Sequence, residues 1–297
     1  PKLIMNLMME NPLMIIIDYN AIAIAGVVTQ KMQVDEHLIR HMILNTIRMY
    51  NKKFRKEYGD VVIACDHSSW RREVFPQYKA SRRKGREESS MDWNEIFRII
   101  NKVREEIRDN MPYKVIHVER CEADDIIGTL VYETQEFGKN EPVMIISADK
   151  DFIQLHKFNN VRQYSPMQKK FVQHENPRLY ALEHVLKGDS GDGVPNVLSQ
   201  DDCFVEGIRQ TPVTQKKIDA ILADLDEGEL LYAASWYRNY QRNDTLINLA
   251  NTPQELKTEI INKFEIPAQR GPGKVLNYFV ANRCKMLIEC IEDFNNG

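Results

Sequence analysis

What the chain has little of narrows it first. Its 297 residues include only 5 cysteines (Cys65, Cys121, Cys203, Cys284 and Cys290), an odd count with no C-x₂-C pair. That excludes a disulfide scaffold and a cysteine-built zinc or redox motif, and it predicts a reducing intracellular setting. With 13 glycines and 12 prolines, the chain is neither collagen-like nor a low-complexity tract. No apolar run approaches the ~18–20 residues of a membrane span, so no membrane helix is expected. Glu10 and Asp18 interrupt the apolar stretch near the start, which therefore reads as a tail followed by a buried strand rather than a secretion signal. The first residue is Pro, and Met5 is a candidate native start. Charge of one sign is also missing overall, since the formal net is −3, but the two signs are segregated along the chain.

What is there begins with short β-branched runs: Leu13–Ile17, Val61–Cys65, Lys114–Val118, Val143–Ser147 and a weaker Val161–Tyr164. Runs of this kind bounded by polar residues predict buried strands of a parallel sheet. Amphipathic helices lie between them. One carries Leu38, Ile39, Met42, Ile43, Ile47, Tyr50 and Phe54 on one stripe. Another carries Trp93, Ile96, Phe97, Ile100, Val103 and Ile107 behind an Asp92/Glu95 capping box. The alternation predicts an α/β domain with a mostly parallel, doubly wound sheet over residues 13–176, after a tail at 1–12. From residue 177 to 297 every stripe is helical, which predicts a second, α-helical domain.

In such a sheet, ligands bind beyond the carboxyl ends of the strands. The sequence places Asp18 after the first strand, Asp66 after the second, Glu122 and Asp124 past the third, and Asp149 and Asp151 past the fourth. The helical half opens with Asp189 and Asp192 in Lys-Gly-Asp-Ser-Gly-Asp. One such acid is ordinarily a helix cap. Eight converging acids instead require a cation or strongly raised pKa values. All-oxygen ligation selects Mg²⁺ or Mn²⁺ over zinc, and acids enough for two ions point to two-metal phosphodiester chemistry.

Between the second and third strands, residues 70–86 hold seven bases (Arg71, Arg72, Lys79, Arg82, Arg83, Lys84 and Arg86) against the single acid Glu73. A basic run is usually a solvated loop. One that follows a metal-ligand candidate suits a polyphosphate substrate. Trp70, Phe75 and Tyr78 are either stacking platforms for an unpaired base or core anchors, and Phe75 is expected in the core.

Seven ordered blocks carry a resemblance: Ile17-Asp18, Cys65-Asp66, Trp70-Arg-Arg, the basic run from Tyr78 to Glu88, Glu122-Ala-Asp-Asp125, Ile146-Ser-Ala-Asp-Lys-Asp-Phe152 and Lys187-Gly-Asp-Ser-Gly-Asp-Gly-Val-Pro195. Together they resemble the 5′-nuclease (flap endonuclease) family, and their local wording is similar to its T-even bacteriophage RNase H branch. The resemblance covers most of residues 13–210. It implies a PIN-like nuclease core with a basic helical arch at about 67–91. The implied activity is a 5′→3′ exonuclease that also cuts flaps and removes RNA primers during lagging-strand synthesis, in the host bacterial cytoplasm.

The resemblance further implies a Mg²⁺ pair, Mn²⁺ being able to substitute. Asp18, Asp66, Glu122, Asp124 and Asp149 would lie nearer one ion, with Asp151, Asp189 and Asp192 nearer the other. Asp18, Asp66, Asp124 and Asp149 would be the catalytic carboxylates, and Lys84 matches the family's catalytic arch lysine. Arg71, Arg72, Tyr78, Lys79, Arg82, Arg83 and Arg86 would contact nucleic acid. The chain departs from the family in lacking a Gly-x-Gly hairpin over Cys203–Lys217, which leaves Lys216 and Lys217 at a helix start to grip duplex phosphate. The implied partners are RNA–DNA and DNA duplexes with 5′ ends, flaps or forks, a sliding clamp docked by the Met-rich tail, and a single-stranded DNA-binding protein. The chain itself is expected to be a monomer. Two alternatives stand beside this reading: a PilT-N-terminus-like ribonuclease, and a catalytically silent module for branched DNA. A haloacid-dehalogenase-type phosphatase is excluded, because Asn20 replaces the second acid it needs.

Overall fold

The computed structural model describes residues 13–30, 33–136, 139–227, 234–268 and 273–295. The expected tail at 1–12 lies outside these residues. In chain order the first elements are β1 (Met14–Asp18), α1 (Tyr19–Thr29), α2 (Glu36–Tyr58), β2 (Asp60–Cys65), α3 (Arg71–Val74), α4 (Ala80–Glu87) and α5 (Trp93–Asn110). There follow β3 (Lys114–His117), α6 (Ala123–Gln135), β4 (Val143–Ile146), β5 (Val161–Ser165) and β6 (Lys170–Val172). The remaining helices are α7 (Pro177–Lys187), α8 (Gln215–Glu227), α9 (Tyr237–Ile247), α10 (Gln254–Glu265), α11 (Lys274–Ala281) and α12 (Lys285–Ile288).

The sheet has the order β3-β2-β1-β4-β5-β6. Its first five strands are mutually parallel, and the short β6 pairs antiparallel to β5. Each of the five predicted apolar runs forms one of the parallel strands. β6 went unpredicted, because three residues with one apolar pair leave no periodicity to read. The order reverses between β1 and β4, the position beyond whose strand ends sheets of this kind bind ligands. Ile15, Ile16 and Ile17 are fully buried. At ~1.5–3 kcal/mol for each such side chain, their register fixes where Asp18 emerges.

The flanking helices bury the expected stripes: Ile39, Ile43 and Ile47 of α2, and Ile96, Ile100, Val103 and Ile107 of α5. Leu38 departs from its stripe and is 50% exposed. It sits in the first turn of α2, where its backbone N–H meets the Asp35 carboxylate cap at 2.9 Å. Of the Asp92/Glu95 capping box, only the Asp92 half forms, at 3.0 Å to the Glu95 N–H, because Glu95 turns to Arg98.

The chain packs as two compact units whose limits differ from the expected division at 176/177. The first comprises residues 13–68, 92–173 and 254–295, and the second residues 69–91 and 174–253. The last helices thus belong with the sheet rather than with a helical domain. α10 lies on α6 and β3, and α11 on α5. The Asn51 side-chain amide donates to the carbonyls of Asp293 and Asn295 at 2.9 and 3.0 Å, and the Tyr113 hydroxyl to that of Phe294 at 2.8 Å. A nearly buried Arg40 binds Glu106 at 2.7 Å, and Glu106 also accepts from the Tyr278 hydroxyl at 2.6 Å. In the second unit, one core gathers Phe75, Tyr78, Val185, Val194, Leu246 and Ile247. Another gathers Leu186, Val197, Ile218, Ile221 and Trp236.

Candidate metal centre and basic segment

In the first unit, six of the expected acids stand at the carboxyl ends of β1, β2, β3 and β4. Asp18 closes β1 and is buried. Burial raises its pKa to about 7, Asp66 and Asp149 push the same way, and the hydrogen bond from the Ser147 hydroxyl at 2.7 Å opposes them. A carboxylate held under that much like charge is one that a cation would relieve.

Asp66 follows β2. Its backbone N–H donates to the Asn20 side chain at 2.9 Å, and its Oδ1 accepts from the Ala123 N–H, at the start of α6, at 2.7 Å. Glu122 precedes that helix and is buried. Its N–H meets the carboxylate of Asp125, which is therefore a helix cap and no part of the acid cluster. Asp124, Asp149 and Asp151 each bring a carboxylate oxygen within 4.8 Å of the others. Asp149 thus belongs both to this trio and to the group around Asp18. The set is all oxygen, crowded and partly desolvated, which fits a hard divalent cation.

The residues that hold these acids in place were not expected. The Ser147 hydroxyl, besides donating to Asp18, accepts from the Asp149 N–H at 3.1 Å. Gln163, fully buried on β5, donates its side-chain amide to the carbonyls of Ser147 at 2.9 Å and Asp149 at 2.6 Å. It pins the turn after β4 from the neighbouring strand. The available signal was a glutamine at an inward position of a strand, which must find buried partners.

Asp189 and Asp192 lie in the second unit, on a tight turn closed by paired backbone bonds between Asp189 and Val194 at 2.8 and 2.7 Å. The turn depends on Gly188 (φ +69°), where a Cβ would come within 2.4 Å of the Val194 carbonyl oxygen. Asp189 is 3.6 Å from His184. The Asp192 carboxylate accepts from the Tyr78 hydroxyl at 2.9 Å and from Arg82 Nη2 at 2.5 Å, and Lys79 Nζ is 3.5 Å away.

The basic segment divides by burial. Arg71 and Tyr78 depart from the expected nucleic-acid contacts. Arg71 is 2% exposed, with Nε donating to the Leu246 carbonyl at 2.7 Å. Its guanidinium lies 4.8 Å from the Trp70 ring centroid. Tyr78 is buried in the same core as Phe75, and Trp70 is buried as well, so the three rings are anchors rather than stacking platforms. Arg72, Arg82, Lys84 and Arg86 are exposed, and Lys79 is half-buried. Lys84 is the extreme, its side chain 80% exposed and 3.9 Å from Glu88. Arg83 lies in α4, and its side chain is outside the described set. Lys216 and Lys217 are exposed in the first turn of α8.

Two family models match the chain. The 5′–3′ exonuclease N-terminal resolvase-like domain spans residues 14–184, and the C-terminal region of T4 RNase H spans 176–294. Ribonuclease H of Enterobacteria phage T4 is 33% identical over 291 residues, covering 94% of this chain and 95% of that protein. Among solved structures, the bacteriophage T5 D15 flap endonuclease in complex with DNA and metal ions superposes with a TM-score of 0.57 at 16% identity, covering 85% of this chain and 99% of that one. The T5 D15 protein co-crystallised with metal ions gives 0.56 at 16% identity, over 91% and 98%. At such identity the two T5 structures speak to the fold alone.

Proposed function

Since the chain belongs to the 5′–3′ exonuclease family of metal-dependent nucleases and pairs that domain with a T4 RNase H C-terminal region, we propose that it is a Mg²⁺-dependent 5′→3′ exonuclease and flap endonuclease with RNase H activity. Its task in this reading is to remove RNA primers, and the DNA beside them, from lagging-strand fragments. The observation that carries it is the convergence of Asp124, Asp149 and Asp151 within 4.8 Å, next to a buried Asp18 under like-charge pressure.

Asp18, Asp66, Glu122, Asp124, Asp149 and Asp151 hold divalent metal, and Asp189 keeps the ligand role that the resemblance implies. Bound ions of this kind supply an activated water and neutralise a leaving phosphate oxygen. Ser147 and Gln163 keep the Asp149 turn from relaxing, so the ligands meet the ion already in position. Lys84 is assigned to the scissile phosphate as a mobile point charge, through its match to the family's arch lysine. Arg72, Arg82 and Arg86 grip phosphate, and Lys216 and Lys217 offer a duplex contact at a helix start. The clamp-docking tail and a single-stranded DNA-binding partner belong to the same reading.

The test is a 5′-labelled nicked duplex carrying either an RNA primer or a DNA flap, incubated with Mg²⁺ or EDTA. Short Mg²⁺-dependent products released from the 5′ end are expected. Binding without cleavage of either substrate overturns the proposal in favour of a silent DNA-binding module, and cleavage restricted to RNA single strands favours a PilT-type ribonuclease.

A further inference from the structure

Helix α4 carries Ser81, Arg82, Arg83, Lys84 and Arg86 and no residue larger than alanine on an apolar face. Gly85 interrupts it, and a Cβ there would meet nothing within 4 Å. A helix of 8 residues without an apolar stripe is marginal by itself, so contacts outside it have to fix its direction. Its N-terminal end is held in an unusual way. Lys79, which leads into it, adopts a left-handed φ of +57°, a conformation that costs a non-glycine residue ~1–3 kcal/mol and persists only where neighbours enforce it. One such neighbour is Asp192. Its backbone carbonyl accepts from the Lys79 N–H at 2.7 Å, and its carboxylate takes Arg82 at 2.5 Å and Tyr78 at 2.9 Å, with Lys79 Nζ at 3.5 Å. The adjoining Gly193 (φ +73°) lets the turn approach this closely, since a Cβ there would stand 3.1 Å from the Gln77 carbonyl oxygen.

We propose that Asp192 is a positioning residue for the basic segment: it clamps the foot of α4 and thereby sets where the helix carries Lys84. The carboxylate thus accepts from a guanidinium and a phenol beside an ammonium, a positioning role that stands alongside the metal-ligand role expected of it from sequence. The functional weight of the clamp rests on the nuclease reading above, but the clamp itself is tested without metal or substrate.

The experiment is limited trypsinolysis of the intact protein in EDTA, following cleavage after Lys84 and Arg86 by mass spectrometry. Wild type is compared with Asp192→Ala, Asp192→Asn, Arg82→Gln and the Asp192→Ala/Arg82→Gln double variant. Thermal melts show whether each variant remains folded. Asp192→Ala should speed cleavage within α4 at least ~10-fold while leaving cleavage elsewhere unchanged, because local opening governs the rate. Asp192→Asn, which still accepts from Tyr78 but loses the charge, should fall between it and wild type. The double variant should cleave no faster than Asp192→Ala alone, as required of two residues acting through one contact. An unchanged α4 cleavage rate in Asp192→Ala, or multiplied effects in the double variant, overturns the clamp. Should the whole fold loosen in Asp192→Ala, Tyr78→Phe replaces it, and an unchanged rate there again overturns the proposal. Failure of the nuclease reading would show only in the duplex-cleavage assay, so the two can be told apart.

Discussion

Asp18 and Lys84 stand at opposite ends of a scale of restraint. The carboxylate is buried at the tip of the central strand, braced by Ser147 in a turn that Gln163 holds. The ammonium is 80% exposed on a short helix with no apolar face. A metal ion needs its ligands within a few tenths of an ångström of fixed positions, and a parallel sheet with a fully buried core supplies that. A nucleic-acid strand has to enter and leave, which suits a charge on a long flexible stem. The first region buries and braces its acid, the second holds Lys84 out in solvent, and the chain builds each with the residues that physical chemistry would choose.

The hardest test of this contrast is Asp124→Asn. It should reduce cleavage of a nicked duplex by well over ~100-fold, beyond the range seen when only outer supports of a metal ligand are lost. DNA affinity, measured by fluorescence anisotropy, should change by less than ~5-fold, because the exposed phosphate contacts remain. Cleavage that survives the substitution would remove Asp124 from the metal site. Lys84→Ala should lower kcat by on the order of 10²-fold with little change in KM, if its charge acts in the transition state. An equal rise in KM would make it a docking contact. Gln163→Leu removes both donors that pin the turn after β4 while keeping nearly the same volume. It should raise the Mn²⁺ concentration needed for half-maximal activity by roughly 10–100-fold and leave the fold intact by circular dichroism. The smallest effects separate two neighbours in the basic run. Arg72→Ala should reduce the salt dependence of DNA binding by about one phosphate contact. Arg71→Ala should leave that slope alone and cost ~1.5–3 kcal/mol of stability, because it strands the buried Leu246 carbonyl.

Much of this was legible in one dimension. Five apolar runs became five parallel strands, and an acid after a strand is by construction an acid at the sheet's carboxyl edge. The sequence could not show which polar residues brace those acids, because an inward glutamine in a strand looks the same whatever it bonds. Nor could it separate Arg71 from Arg72. A run of bases reads as a solvated surface, and the carbonyl that captures Arg71 is 175 residues further along. Amphipathic stripes reported that α10 and α11 would bury a face, and said nothing of which neighbour would cover it. The stripes therefore mark residues 177–297 as helical without telling which of those helices pack on the sheet.

The sheet unit is assembled from three separated stretches of chain, and the last of them, through Asp293 and Asn295, is tied to Asn51 on α2 across more than 240 residues. A ribosome delivering ~5–20 residues per second completes the final strand roughly ten seconds before it has made the residues that pack on α2. Throughout that interval the nascent sheet carries an uncovered flank while the second unit is still emerging between its parts. Shortening the gene product by its last few dozen codons should therefore yield a chain that aggregates during synthesis, well before any question of catalysis arises.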